Sequence, residues 1–369
     1  MSGGDARLVP ALFDGDRLRQ ARVYCGLRKV EVADKINVSP AVIGQYESGR
    51  TRPSAAALAS IALNLAFPPE FFERRGTPPR VGEGQAHFRK LRSTSKLERD
   101  QALVRLELFA EVLADIESHV QLPDVDVPSF PVADDAPDAL PEDAAASVRA
   151  EWGHSSGPID NVVRLLEGRG IVVTRNQVGS TSVDAFSTWI KGRPVVVLGS
   201  DKGDAARSRF DAAHELGHLV MHGDAEPGRH VVEQQAHRFA AAFLMPAETI
   251  GKEFPSRMSW PAFFKLKERW RISLQALLMR ARTLGALSPD GYRRAQIHVR
   301  SRWGNDEPVT IGPAEQPALL GRAFELMASE LGIDASAIAG ECRLHESVFR
   351  SLIEGSVPET ADRPKVDVR

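Results

Sequence analysis

Cysteine is nearly absent from this sequence: Cys25 and Cys342 are the only two in 369 residues, and they stand far apart. Two isolated thiols build no disulfide framework, and they suit a reducing compartment. Tyrosine is also scarce, and of its three residues only Tyr292 lies outside the N-terminal part. No stretch approaches the ~18 consecutive apolar residues of a membrane-spanning helix. The segment from Met1 to Phe13 lacks the basic start and long apolar core of a secretion signal. Net charge is only −2, so no overall field draws the chain to nucleic acid or to a membrane, and any such binding must come from a local patch. Together these absences lead us to expect a cytoplasmic protein without a membrane partner.

What is present suits a globular chain. Apolar residues make up 43% and charged residues 26% of the sequence, enough to bury real cores without covalent staples. The length favours two or three domains over one. Charge is unevenly spread. Residues 1–80 hold twelve Lys/Arg against eight Asp/Glu, whereas residues 124–143 hold seven acids, no base and four prolines. The second stretch reads as a linker or an irregular surface segment. The expected organisation is an N-terminal domain over 1–75, a helical connector over 76–123, a linker over 124–143, a second domain over 144–305, and a helical accessory region with a tail over 306–369.

Hydrophobic spacing then assigns elements. Leu103, Leu106, Phe109, Ala110, Leu113 and Ile116 share one face of a helix over 99–120. Beyond the linker, the pattern predicts a helix over 161–170, a strand over 171–174 and a second strand over 194–199. Helices follow over 205–222 and 231–244, the latter stopped by Pro246. The fold class expected is mainly α, with an all-α N-terminal domain and an α+β second domain.

The strongest chemical signal is His214-Glu215-Leu216-Gly217-His218. On a helix the two histidines leave the same face, so both imidazoles can grip one zinc ion at ~2.0–2.1 Å. Glu215 is placed to take a proton from a water activated by the metal and to hand it to a leaving amine. Phe210, Ala213, Leu216, Gly217 and Val220 give this helix its apolar and small positions. A third ligand is needed. His222 continues the spacing, but eight residues of helix rise about 12 Å, too far for one ion to bridge. It is therefore read as a core or supporting residue. In the next helix Glu233 and His237 share a face, so one can bind metal while the other orients His214 or His218. Glu233 is preferred as the ligand and His237 is the alternative, with His230 a weaker one in the connecting loop. His230, His237 and Arg209 are also candidates to stabilise an oxyanion.

These two stretches, RFDAAHELGHLVMH at 209–222 and EQQAHRFAAAFLMP at 233–246, resemble the ImmA/IrrE family of metallopeptidases. The similarity runs over roughly 145–305. It implies a gluzincin-like, zincin-type domain, with Glu233 at the position of the family's glutamate ligand and His237 at a position where Asn or Asp is more usual. In such folds a strand beside the metal helix pairs with an extended peptide, and Val195-Val196-Val197 is the candidate by strand addition.

Residues 16–65 carry a second pattern. Helices are read over 16–26, 29–36, 40–47 and 53–65, with Ser39 before Pro40 as a helix start. The run SPAVIGQYESGRTRP at 39–53 resembles an XRE, or Cro/C1-type, helix-turn-helix domain. Such a domain would turn Ala41, Val42 and Gln45 toward base edges, with Gln45 suited to adenine. Ser39, Arg50 and Arg52 would meet phosphates. Lys29, where the family often has Gln, suggests a further phosphate contact. The basic run Arg89 to Lys96 either extends this footprint or is a solvated face. Helix-turn-helix modules often bind paired half-sites, so a homodimer is plausible.

The combined resemblance implies a zinc endopeptidase that cuts a DNA-binding repressor and so derepresses stress or mobile-element genes. The alternative is an XRE-type regulator whose zinc domain senses or binds a protein without turnover. The intact general base Glu215 counts against that alternative.

Overall fold

The computed structural model describes residues 11–74, 96–176, 185–199, 205–223, 229–304 and 306–357. They form two compact units. The first gathers the described residues up to 122 together with 319–357, and the second gathers those from 123 to 318.

The first unit begins with α1 (Gly15–Tyr24), α2 (Lys29–Lys35), α3 (Pro40–Glu47) and α4 (Ala55–Leu65). Local chemistry sets the helix starts. The Asp14 carboxylate accepts from Asp16 N–H, and Ser54 Oγ accepts from Ala57 N–H, each satisfying a donor that a helix start leaves over. Gly15 sits so close to the carbonyls of Tyr46 and Glu47 that no Cβ fits there. Leu18, Ala21, Val32, Ile43, Leu58 and Ile61 fill the centre. Next, α5 (Lys96–His119) packs along α1. Arg17 meets Glu111 through two hydrogen bonds of 2.8 Å, and Gln20 donates to Glu107 at 2.9 Å.

The second unit contains α6 (Leu140–Glu151), α7 (Val162–Gly168), β1 (Val172–Asn176), β2 (Ala185–Ile190), β3 (Arg193–Gly199), α8 (Ala205–Met221) and α9 (His230–Leu244). It continues with α10 (Ala247–Glu253), α11 (Trp260–Trp270), α12 (Leu274–Thr283) and α13 (Pro289–Arg302). Its sheet has the order β1-β3-β2. β1 runs parallel to β3 with Val172 opposite Val195, and β2 runs antiparallel with Phe186 opposite Val197. Lys191 and Gly192 join β2 to β3 with φ of 48° and 85°, the paired positive values of a tight hairpin turn. One core runs from the sheet through α8 and α9 to α12, with Val196, Leu198, Leu216, Val220, Phe239 and Phe243 in it.

Several expectations are corrected here. Val195–Val197 is not an edge: β3 is the middle strand, with both sides hydrogen-bonded. Among the described strands β2, which the sequence reading omits, is the outer one nearer α8. Of the two readings of residues 124–143, the irregular surface segment holds for 124–133 and the linker does not. Phe130 N–H donates to the Val220 carbonyl at 2.9 Å and Val132 N–H to that of Met221 at 3.4 Å. Val127, Phe130 and Val132 pack on the core, and Trp152 Nε1 donates to the Asp126 carbonyl at 3.1 Å. Apolar residues spaced between the acids thus anchor a strap over the end of α8. His230 opens α9 and does not lie in a loop.

The region 306–369 is not one accessory piece either. Residues 306–318 belong to the second unit. α14 (Leu319–Leu326), α15 (Ala335–Glu341) and α16 (Glu346–Ile353) belong to the first, where α15 and α16 lie against α5. Cys342 is buried there and its Sγ–H meets Asp115 at 3.1 Å. The basic run 89–96 lies outside the described residues except for Lys96. Among those described, no helix is long and apolar enough to cross a membrane.

Candidate metal centre

α8 buries almost its whole second half, from Ala212 to Met221. His214 and His218 stand one turn apart on it, their rings 4.7 Å apart and nearly perpendicular. Opposite, α9 buries Val232, Ala236, Phe239, Ala240 and Phe243, and this face also carries Glu233 inward in the first turn. Close approach of the two helices depends on Gly217, where a Cβ would lie 3.0 Å from the Phe239 ring. We expect Gly217→Ala to cost about 1–3 kcal/mol by overpacking even though alanine favours helix. Chemical denaturation checks this, and unchanged stability would show that Phe239 has room to yield.

The donor atoms converge. His214 Nε2 is 3.1 Å from His218 Nε2 and 3.3 Å from Glu233 Oε2, and His218 Nε2 is 3.8 Å from Glu233 Oε1. All three residues are buried, and their ligand atoms lie within 4.8 Å of one another. Donors held at ~2.0–2.1 Å in a tetrahedral array are roughly 3.3 Å apart, and two imidazoles with one carboxylate are a donor set of catalytic zinc. The site therefore fits such an ion. His214 Nδ1 has no hydrogen-bond partner among the described residues.

Glu215 is buried beside the first histidine, and Ser187 Oγ on β2 donates to its Oε2 at 2.8 Å. Burial pushes the Glu215 carboxyl up to about 7, against the opposing pull of His214 and the Ser187 hydrogen bond. Behind His218 lies His222, Nδ1 to Nδ1 at 3.2 Å. His222 Nε2 is 2.9 Å from Gln235 Oε1, and Gln235 Nε2 donates to the Ala133 carbonyl at 2.8 Å. Burial also lowers the pKa of His222 below its ordinary value.

Residues 166–282, which hold this whole constellation except the strap, match the family model described as an IrrE N-terminal-like domain, a peptidase-family domain. Residues 15–71 match a model of a helix-turn-helix domain. The chain joins an IrrE-like peptidase domain to a helix-turn-helix domain. The resemblance read from the sequence is thereby shown, and so is its fold class. No curated protein matches the chain.

Within the IrrE-like domain the other candidates separate. His237 does not join the three donors. It is exposed, its Nδ1–H donates to the Glu233 backbone carbonyl at 3.0 Å, and its ring lies 4.6 Å from that of His214. With Phe210, Asp211, Ile272 and Met279 it lines a cleft of about 1830 Å³. His230 is exposed at the start of α9 and also stands outside the three-residue group. Arg209 is buried and committed to Glu315 and to the carbonyls of Ile159 and Asp160. Both of its terminal nitrogens are thereby engaged by structural partners. Tyr292 is buried too, its hydroxyl accepting from Gln296 at 2.5 Å.

On the helix-turn-helix domain, Ser39, Ala41, Gln45, Arg50 and Arg52 are exposed and Val42 is half-buried. Ser39 precedes α3, but its side chain makes no capping bond. Lys29, read as a phosphate contact, pairs with Glu47 at 3.1 Å and keeps an exposed side chain. Sequence reasoning missed Ser187 and Gln235. A lone serine in a strand carries no spacing signal. Gln235 follows Glu233 by two residues, which on a helix points elsewhere.

Proposed function

We propose that this chain is a zinc-dependent endopeptidase. The observation that carries the proposal is the buried convergence of His214, His218 and Glu233 beside a Glu215 that Ser187 holds in place. His214, His218 and Glu233 would hold the ion. A bound zinc supplies Lewis acidity, polarising a peptide carbonyl and making water acidic near neutral pH. Glu215 takes the water's proton and returns it to the leaving nitrogen. Ser187 fixes the rotamer of that base.

β2 has an outer side that no other described strand occupies. An extended peptide pairing there would run past Ser187 and Glu215, the strand addition that β3 has no edge to offer. The adjoining cleft receives the chain beyond the cut bond, and His237 in its wall is the best placed of the three oxyanion candidates. A fused helix-turn-helix domain favours a DNA-binding repressor as substrate. DNA contact through Ala41, Gln45, Arg50 and Arg52 would bring the peptidase to it.

Metal content tests the reading. After zinc loading and removal of loose metal, the parent should retain about one ion per chain, as expected of three protein ligands with an open fourth position. His214→Ala and Glu233→Ala should both lose it. A parent that keeps no zinc would overturn the peptidase assignment, and zinc kept by Glu233→Ala would remove Glu233 from the ligand set.

A further inference from the structure

We infer that the Ala133 carbonyl, Gln235 and His222 form a one-way hydrogen-bond relay that fixes His218 in the tautomer whose Nε2 lone pair faces His214 and Glu233. His222 and Gln235 are then positioning residues for a metal ligand. This rests on the metal-site reading above and adds the groups that prepare it.

The direction of each bond follows from what each atom can do. A backbone carbonyl only accepts, so the Gln235 group 2.8 Å from Ala133 O is the amide nitrogen. That turns Oε1 toward His222. An amide oxygen also only accepts, so His222 Nε2, 2.9 Å away, carries the hydrogen. A neutral imidazole has one N–H, which leaves a lone pair on His222 Nδ1. His218 Nδ1, at 3.2 Å, must then donate to it. With its hydrogen on Nδ1, His218 presents a bare Nε2, the atom 3.1 Å from His214 Nε2 and 3.8 Å from Glu233 Oε1. Reversing any member would place a hydrogen on that nitrogen and block metal binding.

The relay also explains features otherwise idle. His214, His218 and His222 repeat at four-residue spacing, so one helix stripe carries two ligands and the support for the second. All three relay side chains are buried. The strap matters because its Phe130 and Val132 amides dock on the last carbonyls of α8, which carries the Ala133 carbonyl to Gln235. A segment that precedes the matched domain in sequence thereby sets the protonation pattern inside it.

The test uses the full chain with 15N-labelled histidine, stripped of metal, and reads imidazole tautomers by long-range 1H–15N correlation. His218→Ala identifies the His218 signals. In the parent, His218 should show Nδ1–H and a bare Nε2. His222→Leu and Gln235→Leu should each give a mixture of tautomers. Zinc affinity by chelator competition should fall about 10–100-fold in both, the usual cost of losing a partner behind a metal ligand. His222→Asn keeps an acceptor oxygen near the place of Nδ1 and should recover most of that loss. An Nε2–H tautomer of His218 in the metal-free parent would overturn the relay whatever the variants do. So would parental zinc affinity in the folded leucine variants. If the parent takes up no zinc, the peptidase reading fails, while the tautomer measured in the metal-free chain still decides the relay.

Discussion

Glu215→Gln should cut turnover by orders of magnitude and leave zinc in place. The change keeps the volume and the ability to accept from Ser187 Oγ, so the helix, the edge strand and the three donor residues need not move. It removes only the capacity to take up a proton. Positioned general bases contribute about 10²–10⁴-fold, and kcat should fall by that order with KM little changed, because the lost interaction belongs to the transition state. Burial pushes Glu215 up to about 7, and a cation held by His214 opposes that rise. A cation held by the neighbouring ligands would therefore favour the ionised base. The measurement pairs metal content with cleavage of a quenched fluorescent peptide chosen on the parent. Undiminished cleavage would remove Glu215 from the mechanism. Loss of zinc together with activity would make Glu215 a support for the ligands.

Much of this centre was legible in the sequence because its information is local. The i, i+4 spacing of His214 and His218 places two imidazoles on one helix face before any tertiary contact is known. Glu233 needed only a second amphipathic helix and a matching face. The rise of an α-helix separates His222 from the donor group, and the structure puts it one turn beyond His218, with Nδ1 to Nδ1 at 3.2 Å. α3 runs from Pro40 to Glu47, the span read from Pro at the first helical position and Gly49 beyond the end.

What stayed hidden is information that arises only when distant segments meet. The run Ala185–Ile190 followed by Lys191-Gly192 did carry a hairpin signal, and attention to that turn would have found β2 and moved the edge from β3. Composition left two readings open over 124–143, a linker or an irregular surface segment, and did not show the anchoring that separates them. Seven acids and four prolines suggest solvation, yet four well-spaced contacts made by Asp126, Val127, Phe130 and Val132 decide where the backbone goes. Nothing in 319–357 announces that it folds with the first unit. Its apolar stripe fits any helical neighbour, and α5 is the one that topology supplies.

Removing either partner of the buried Arg209–Glu315 pair should destabilise the second unit by about 3–5 kcal/mol, because each leaves an uncompensated charge away from water. Glu315 does more than pair. Its Oε2 accepts from the backbone N–H groups of Val162 and Val163 at 2.7 and 3.0 Å, at the positive end of α7. Arg209 in turn donates to the Ile159 carbonyl at 2.6 Å. Burial lowers the Arg209 pKa and Glu315 offsets that fall, so the pair is held by mutual need. Glu315→Ala should be the costlier change, since it strands a guanidinium and two helix-end donors, whereas Arg209→Ala leaves a carboxylate still bonded to two amides. Fluorescence isolates this unit: all five tryptophans, Trp152, Trp189, Trp260, Trp270 and Trp303, lie within it. Urea titrations followed by tryptophan emission should therefore show the loss directly, with the helix-turn-helix domain silent. A shift under about 1 kcal/mol, the range of exposed pairs, would mean that the pair is not structural. It would also return Arg209, five residues before His214, to the candidates for oxyanion stabilisation.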